Sequence, residues 1–108
     1  MANTLDKGMI VALLHAKAKA KTREEWGKAL DKFWADDLAL LKKQRGFVGA
    51  KALWAIDDSG EVVVMGIWDN LEDRLAYEKT VAEHVRANIE TTIEKRPARP
   101  KYVVVRSD

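Results

Sequence analysis

The sequence predicts an α+β fold, one antiparallel sheet with two helices packed on it, and two observations carry the prediction. The first is Glu61-Val62-Val63-Val64-Met65-Gly66-Ile67-Trp68-Asp69-Asn70, an apolar run that ends in a tryptophan and passes straight into a helix-start signal. Both alternating sets of the run, Val62/Val64/Trp68 and Val63/Met65/Ile67, are apolar, so a strand buried on both faces is expected. Two helices can cover one face of the sheet, and the other is most simply covered by a second copy of the chain. The second observation is the order of the elements, β-α-β-β-α-β, which is the ferredoxin-like or split βαβ arrangement.

Met9 to about Lys19 reads as the first strand, apolar on both faces at Ile10, Val11, Leu13 and Leu14 and emerging into solvent where lysines alternate with alanines. Thr22-Arg23-Glu24-Glu25 fits a capping box and starts a helix that can run to about Arg45, with Gly46 at the left-handed position that commonly ends helices. Phe47 to Ile56 is a strand, Asp57-Asp58-Ser59-Gly60 a hairpin turn, and Val62 to Trp68 its partner. Asn70 caps a second helix expected to reach about Glu94, with Glu72 and Asp73 at its positive end. Pro97 and Pro100 frame a connector, and Tyr102 to Arg106 forms the last strand.

A length of 108 residues argues for one domain over 1–108, with 1–7 a flexible N-terminal segment. The absence of cysteine removes disulfides, thiolate metal sites and cysteine nucleophiles together. Apolar runs fall far short of the roughly 20 residues that span a bilayer, and the N-terminus lacks the apolar core of a signal peptide, so a cytoplasmic protein is expected. The formal charge of +2, from 19 basic and 17 acidic residues, gives no net field that implies nucleic acid or an anionic membrane as partner. Lys17, Lys19, Lys21 and Arg23 read as a solvated strand end.

On a helical wheel Trp26, Ala29, Leu30, Phe33, Leu40 and Leu41 share one face of the first helix, and Asp37 falls in the middle of it. A carboxylate there must find a partner or face a cavity, which makes Asp37 a candidate for proton transfer; alternatively the helix twists or frays after Asp36 and Asp37 reaches a lysine or water. The second helix carries an apolar stripe through Leu71, Leu75, Ala82, Val85, Ile89 and Ile93, flanked by Tyr77, Val81, His84 and Asn88. His84 is a boundary residue or a ligand, and His15 reads as a satisfied histidine at a dimer or sheet edge. Two histidines without a third close ligand make no zinc site. No Gly-rich phosphate loop, nucleophile elbow or metalloprotease motif is present. Of the four tryptophans, Trp26, Trp34 and Trp54 read as core, whereas Trp68 stands at a strand end where a cleft can open.

Gly46-Phe47-Val48-Gly49-Ala50, a hairpin, and then Val62-Val63-Val64-Met65-Gly66-Ile67-Trp68-Asp69-Asn70-Leu71-Glu72 resembles the antibiotic biosynthesis monooxygenase domain family over most of the chain. The resemblance implies a dimeric α+β barrel, in which two ferredoxin-like sheets face each other and the helices lie outside. It implies a cofactor-independent monooxygenase acting on a small hydrophobic aromatic of quinol or anthrone type, whose deprotonated form gives an electron to oxygen. By the same resemblance Trp68 lines the pocket, with Tyr77 and Arg86 as its polar residues; Asp37 is added from the wheel alone. Relatives that bind and degrade haem use a tryptophan, a first-strand asparagine and a second-helix histidine. Trp68 and His84 match two of these, but the first strand offers Leu13, Leu14 and His15 with no asparagine.

The alternatives to the oxygenase are therefore a haem-binding or haem-degrading protein with His84 as axial ligand, and a non-catalytic ligand-binding or stress-associated dimer on the same scaffold. Single-stranded RNA binding is disfavoured, because Phe47 and Trp54 do not amount to the stacking signature such sheets carry.

Overall fold

The computed structural model describes residues 5–80, 82–94 and 100–108. Four strands, β1 (Ile10–Lys17), β2 (Phe47–Trp54), β3 (Glu61–Trp68) and β4 (Lys101–Val103), form one sheet in the order β2-β3-β1-β4. Every pairing is antiparallel, with Ile10 opposite Trp68, Leu14 opposite Val64, Ala52 opposite Val64 and Val11 opposite Tyr102. With helices inserted after β1 and after β3, this is the ferredoxin-like α+β fold expected from the element order.

The register sorts the side chains into two faces. Ile10, Leu14, Ala16, Val62, Val64 and Trp68 point to the helices and are all buried. On the opposite face Val11 and Ile67 are buried, Leu13, Val63 and Met65 are half-buried, and Leu53 and Tyr102 are exposed. The chain's own helices thus bury Val62, Val64 and Trp68 on one face of β3 and leave Gly66 half-buried, while the other face is covered only in part.

The first helical stretch starts where the capping box placed it. The Thr22 hydroxyl accepts from the Glu25 N–H at 3.1 Å, while the Glu25 carboxylate reaches back to the Lys21 N–H at 2.9 Å. A single helix to Arg45 is not what forms. The chain makes α1 (Arg23–Ala29), a π-helical turn (Phe33–Asp37) and α2 (Leu38–Lys42), and the Leu38 N–H bonds to the Phe33 carbonyl five residues back. The wider turn keeps Trp26, Leu30, Phe33, Asp37 and Leu41 on one buried line, and leaves Ala29 exposed and Leu40 half-buried. Trp34 lies outside the core, 38% exposed and edge-on to Phe33 at 5.4 Å.

The second stretch is also divided, into α3 (Leu71–Glu78) and α4 (Ala82–Glu90). Asn70 caps α3, accepting from the Asp73 N–H at 2.8 Å. At the other end the Thr80 hydroxyl bonds to the Tyr77 carbonyl at 2.9 Å, a local contact that competes with helix propagation; Val81 lies outside the described residues. The break changes the phase of the stripe, so Tyr77 is the buried residue of α3 while Leu71 and Leu75 face outward at 46% and 41% exposure. Helix α4 stops at Glu90 rather than Glu94, because Thr91 and Thr92 turn their hydroxyls onto the Asn88 and Ile89 carbonyls. Ile93 then bridges to Ala18 at the end of β1. Pro97 and residues 1–4 of the N-terminal segment lie outside the described residues, and Gly8 donates to the Val104 carbonyl at 2.8 Å.

Gly46 joins helices to sheet. Its φ of +82° is left-handed, its carbonyl accepts from Asp69 N–H at 2.7 Å, and a Cβ there would lie 2.6 Å from the Asp73 Cβ. The left-handed penalty and the overlap with α3 add, so Gly46→Ala is expected to cost about 2–4 kcal/mol. Thermal unfolding followed by circular dichroism should then show a Tm lower by roughly 10 °C or more; an unchanged Tm would mean that the junction relaxes freely.

Candidate functional site

The turn after β3 brings the sheet's central tryptophan under α3. Trp68 has no exposed surface. Its ring meets Phe47 edge-on at 5.3 Å and Tyr77 at 5.0 Å with a tilt of 34°. Burying an indole with these neighbours contributes about 5 kcal/mol of apolar transfer energy. The polar handle runs against this. Trp68 Nε1 is buried and has no hydrogen-bond partner among the described residues. It points toward the space over Gly66, where a Cβ would sit 3.4 Å from it.

That space belongs to a cavity of about 60 Å³ between the sheet and the helical layer. Trp68, Tyr77 and Arg86, three of the residues singled out in the sequence, line it together. Its apolar wall includes Leu14, Phe33, Leu41, Val64 and Val85. Arg86 enters from α4, its Nε buried without a partner among the described residues and its Nη1 3.5 Å from Glu83, whose side chain is 84% exposed. Such an exposed pairing contributes little.

Arg74 completes the wall and was not anticipated. It lies one helical turn before Tyr77 on α3, so both reach the same side of the helix, and that spacing from an aromatic was the available signal. Its guanidinium carbon sits 5.8 Å from the Trp68 ring centre and 5.1 Å from that of Tyr77. Both distances are within reach of a cation–π attraction. The Nε donates to Glu78 at 2.8 Å, and Lys101 on β4 approaches the same carboxylate oxygen at 3.1 Å. Burial alone would raise the Glu78 pKa, but hydrogen bonds from Arg74 and Lys101 outweigh it and hold the carboxyl below its usual 4.5.

Asp37 is buried, as its position on the wheel required, but it does not line this cavity. It accepts from Asn88 Nδ2 at 2.6 Å, and His84 Nε2 stands 3.5 Å away, so the carboxylate ties the π-helical turn to α4. His84 is 66% exposed and absent from the cavity wall. Haem therefore does not fit the residues present: the histidine faces Asp37 and lies off the cavity wall. His15 pairs with Glu61 at 3.2 Å on the open sheet face. Among the described residues no three His, Asp or Glu side chains are grouped to hold a metal ion, and no helix is long and apolar enough to cross a membrane.

The lowered Glu78 pKa fixes a sign. A depressed carboxyl stabilises the fold above pH 4.5 and loses that contribution as pH falls through its folded value. The Tm advantage of wild type over Glu78→Gln is therefore expected to be full at neutral pH and to shrink in acid below 4.5; an advantage independent of pH would contradict the linkage.

No protein-family model and no curated protein matches the chain. Solved structures do. A Bordetella bronchiseptica protein classed with the antibiotic biosynthesis monooxygenases is 12% identical with a TM-score of 0.68, covering 92% of this chain and 99% of that one. SnoaB, a cofactor-independent oxygenase from Streptomyces nogalater, is 12% identical with a TM-score of 0.66, covering 93% and 96%. A Nitrosomonas europaea protein of unknown function is 20% identical with a TM-score of 0.61, covering 98% and 96%. At such identities the likeness is one of fold: this chain has the ferredoxin-like α+β fold found in structures of antibiotic biosynthesis monooxygenases.

Proposed function

We propose that the chain is a cofactor-independent monooxygenase of a small, hydrophobic, electron-rich aromatic, and that it works as a homodimer. The observation that carries the reading is the buried Trp68 N–H, unpartnered among the described residues, in an apolar cavity shared with Tyr77 and Arg86. A buried donor left without an acceptor costs about 1–3 kcal/mol, and an oxyanion forming on a bound substrate is the acceptor that recovers it. The fold likeness to SnoaB, a cofactor-independent oxygenase, supports the same direction.

For an anthrone-type substrate the chemistry closes without an external reductant. The enol loses its proton, the anion passes one electron to dioxygen, and the resulting radical and superoxide join as a peroxide. Loss of water then leaves a carbonyl where a CH₂ stood, with one oxygen atom in the product and one in water. All electrons come from the substrate. The protein's part is to stabilise the anion with Trp68 and Arg86, to hold the ring against Phe47 and Tyr77, and to exclude bulk water. No carboxylate lines the described cavity, so the donors act by lowering the substrate's pKa and the proton leaves through solvent. Asp37 acts at one remove, setting α4 and with it Arg86.

The cavity has less than half the roughly 150 Å³ that admits benzene in an engineered protein cavity. Ring entry requires the helical layer to move outward from the sheet. The same small volume favours a second reading, a dimer that binds a ligand without turnover. Oxygen uptake with a panel of anthrones and quinols separates the two. With an active substrate, Trp68→Phe is expected to lower kcat by about 100-fold. Lost packing and relieved N–H desolvation oppose each other, so the fold should stay within about 1 kcal/mol of wild type. Background uptake across the panel, or a Trp68→Phe variant with wild-type turnover, would remove the oxygenase reading.

The homodimer rests on the partly covered sheet face, where Leu13, Val63, Met65 and Leu53 form an apolar surface suited to an identical copy. Wild type is expected to sediment at twice the 12.2 kDa protomer mass and Val63→Asp at the protomer mass. A monomeric wild type at micromolar concentration would contradict the assembly.

A further inference from the structure

The charges around the cavity are unbalanced in one direction. Among the described residues that line it, the charged side chains are Arg74 and Arg86, and Trp68 adds a buried N–H without an acceptor. Glu78, the nearest carboxylate in contact with the wall, is already divided between Arg74 and Lys101. Among the described residues Arg86 pairs through Nη1 with the solvent-exposed Glu83 at 3.5 Å, and its Nε is buried with no acceptor. Among the described residues two buried N–H groups thus lack acceptors, each on a side chain that lines the cavity and one of them on a cation.

Gly66 keeps that space open. A Cβ at this position would lie 3.4 Å from Trp68 Nε1 and 3.8 Å from Arg74 Nη1, so a methyl group would stand between the two donors. The backbone there is not left-handed, and strand geometry by itself would accept alanine. The missing side chain leaves a donor-lined recess in a wall that is otherwise apolar.

We infer that the cavity is a seat for an organic monoanion, with a carboxylate or similarly charged oxygen head over Gly66, received by Trp68 Nε1 and the Arg74 and Arg86 guanidinium groups, and an apolar body against Phe33, Leu41 and Val85. This rests on the cavity being the ligand site of the proposed function and narrows its ligand to one already charged before any chemistry begins. A neutral ligand leaves the Arg86 Nε and Trp68 N–H without a charge-matched acceptor, whereas a carboxylate can satisfy both through charge-assisted bonds. An inorganic anion would meet the donors and waste the apolar wall.

Calorimetric titration of the purified full chain with benzoate, benzamide and inorganic phosphate tests the assignment without requiring turnover. Benzoate is expected to bind one per protomer, at least tenfold more tightly than benzamide, which has the same shape and no charge, and at least tenfold more tightly than phosphate. Gly66→Ala, which removes no donor and no charge, and Arg86→Gln should each weaken benzoate at least tenfold while far-UV circular dichroism and Tm stay near wild type. If Gly66→Ala fails to fold, Arg86→Gln with Arg74→Gln carries the test. No benzoate binding at millimolar concentration, equal binding of benzamide or phosphate, or benzoate binding indifferent to these substitutions would overturn the assignment. The oxygenase reading fails separately: benzoate binding without oxygen uptake on any anthrone or quinol leaves the anion seat and removes the reaction, whereas uptake of neutral anthrones unaffected by Gly66→Ala, with no benzoate binding, does the reverse.

Discussion

Trp68 ends the central strand with its ring fully buried and its N–H without an acceptor among the described residues, and both layers of the protein are arranged around that ring. In the sheet it pairs across from Ile10 on one side and Phe47 on the other. In the helical layer it meets Tyr77 and Arg74. The large apolar area of the indole fixes the separation of the layers there, because interiors pack to crystal-like density and a ring of that size tolerates little displacement. The orphaned N–H is the opposite kind of feature, a local loss of stability that the packing of the ring outweighs. Sites that bind or react commonly show this pairing of a well-packed body with an unsatisfied atom.

A second polar contact governs the outer edge of the same layer. Asp37 is nearly inaccessible, and Asn88 gives it a donor at 2.6 Å. The π-helical turn is what lets a carboxylate share the buried line with Phe33 and Leu41 and still meet α4. Since Arg86 lies on α4 two residues before Asn88, this contact also limits how α4 can rotate, and so where the guanidinium enters the cavity. The turn, the carboxylate and the cavity wall are thereby mechanically linked although Asp37 does not touch the cavity.

Much of the fold was legible because its signals are local. The capping box at Thr22, the Asn70 cap, Gly46 and the Asp57–Gly60 turn all act within a few residues, and the apolar sets of β1 and β3 named the core face. The divisions of the two helical stretches were not legible, because they come from competition between helix propagation and contacts that need the tertiary fold. Asp37 meets a partner 51 positions away, and no pattern on one helix reveals it. The outward turn of Leu71 and Leu75 followed from the same kind of break. In the structure Trp68, Tyr77 and Arg86 line one cavity, and Asp37 and His84 stand against each other away from it. Arg74 escaped notice because an arginine on a short helix reads as a surface residue until the ring beneath it is placed.

The distribution of charge is the feature that packing alone does not explain. A protomer with 17 acidic residues has ample carboxylates to neutralise two arginines at a cavity wall. Glu78 does so for Arg74 on the side of β4, and Asp37 is buried nearby against an amide and a histidine rather than against Arg86. A sequence selected for stability alone would place a carboxylate beside the Arg86 Nε, or a small polar side chain at position 66 to accept from Trp68, since either removes a buried unsatisfied donor. A glycine stands there instead. The open space over Gly66 and the donors beside it lie together, an arrangement that favours an anionic oxygen at that point.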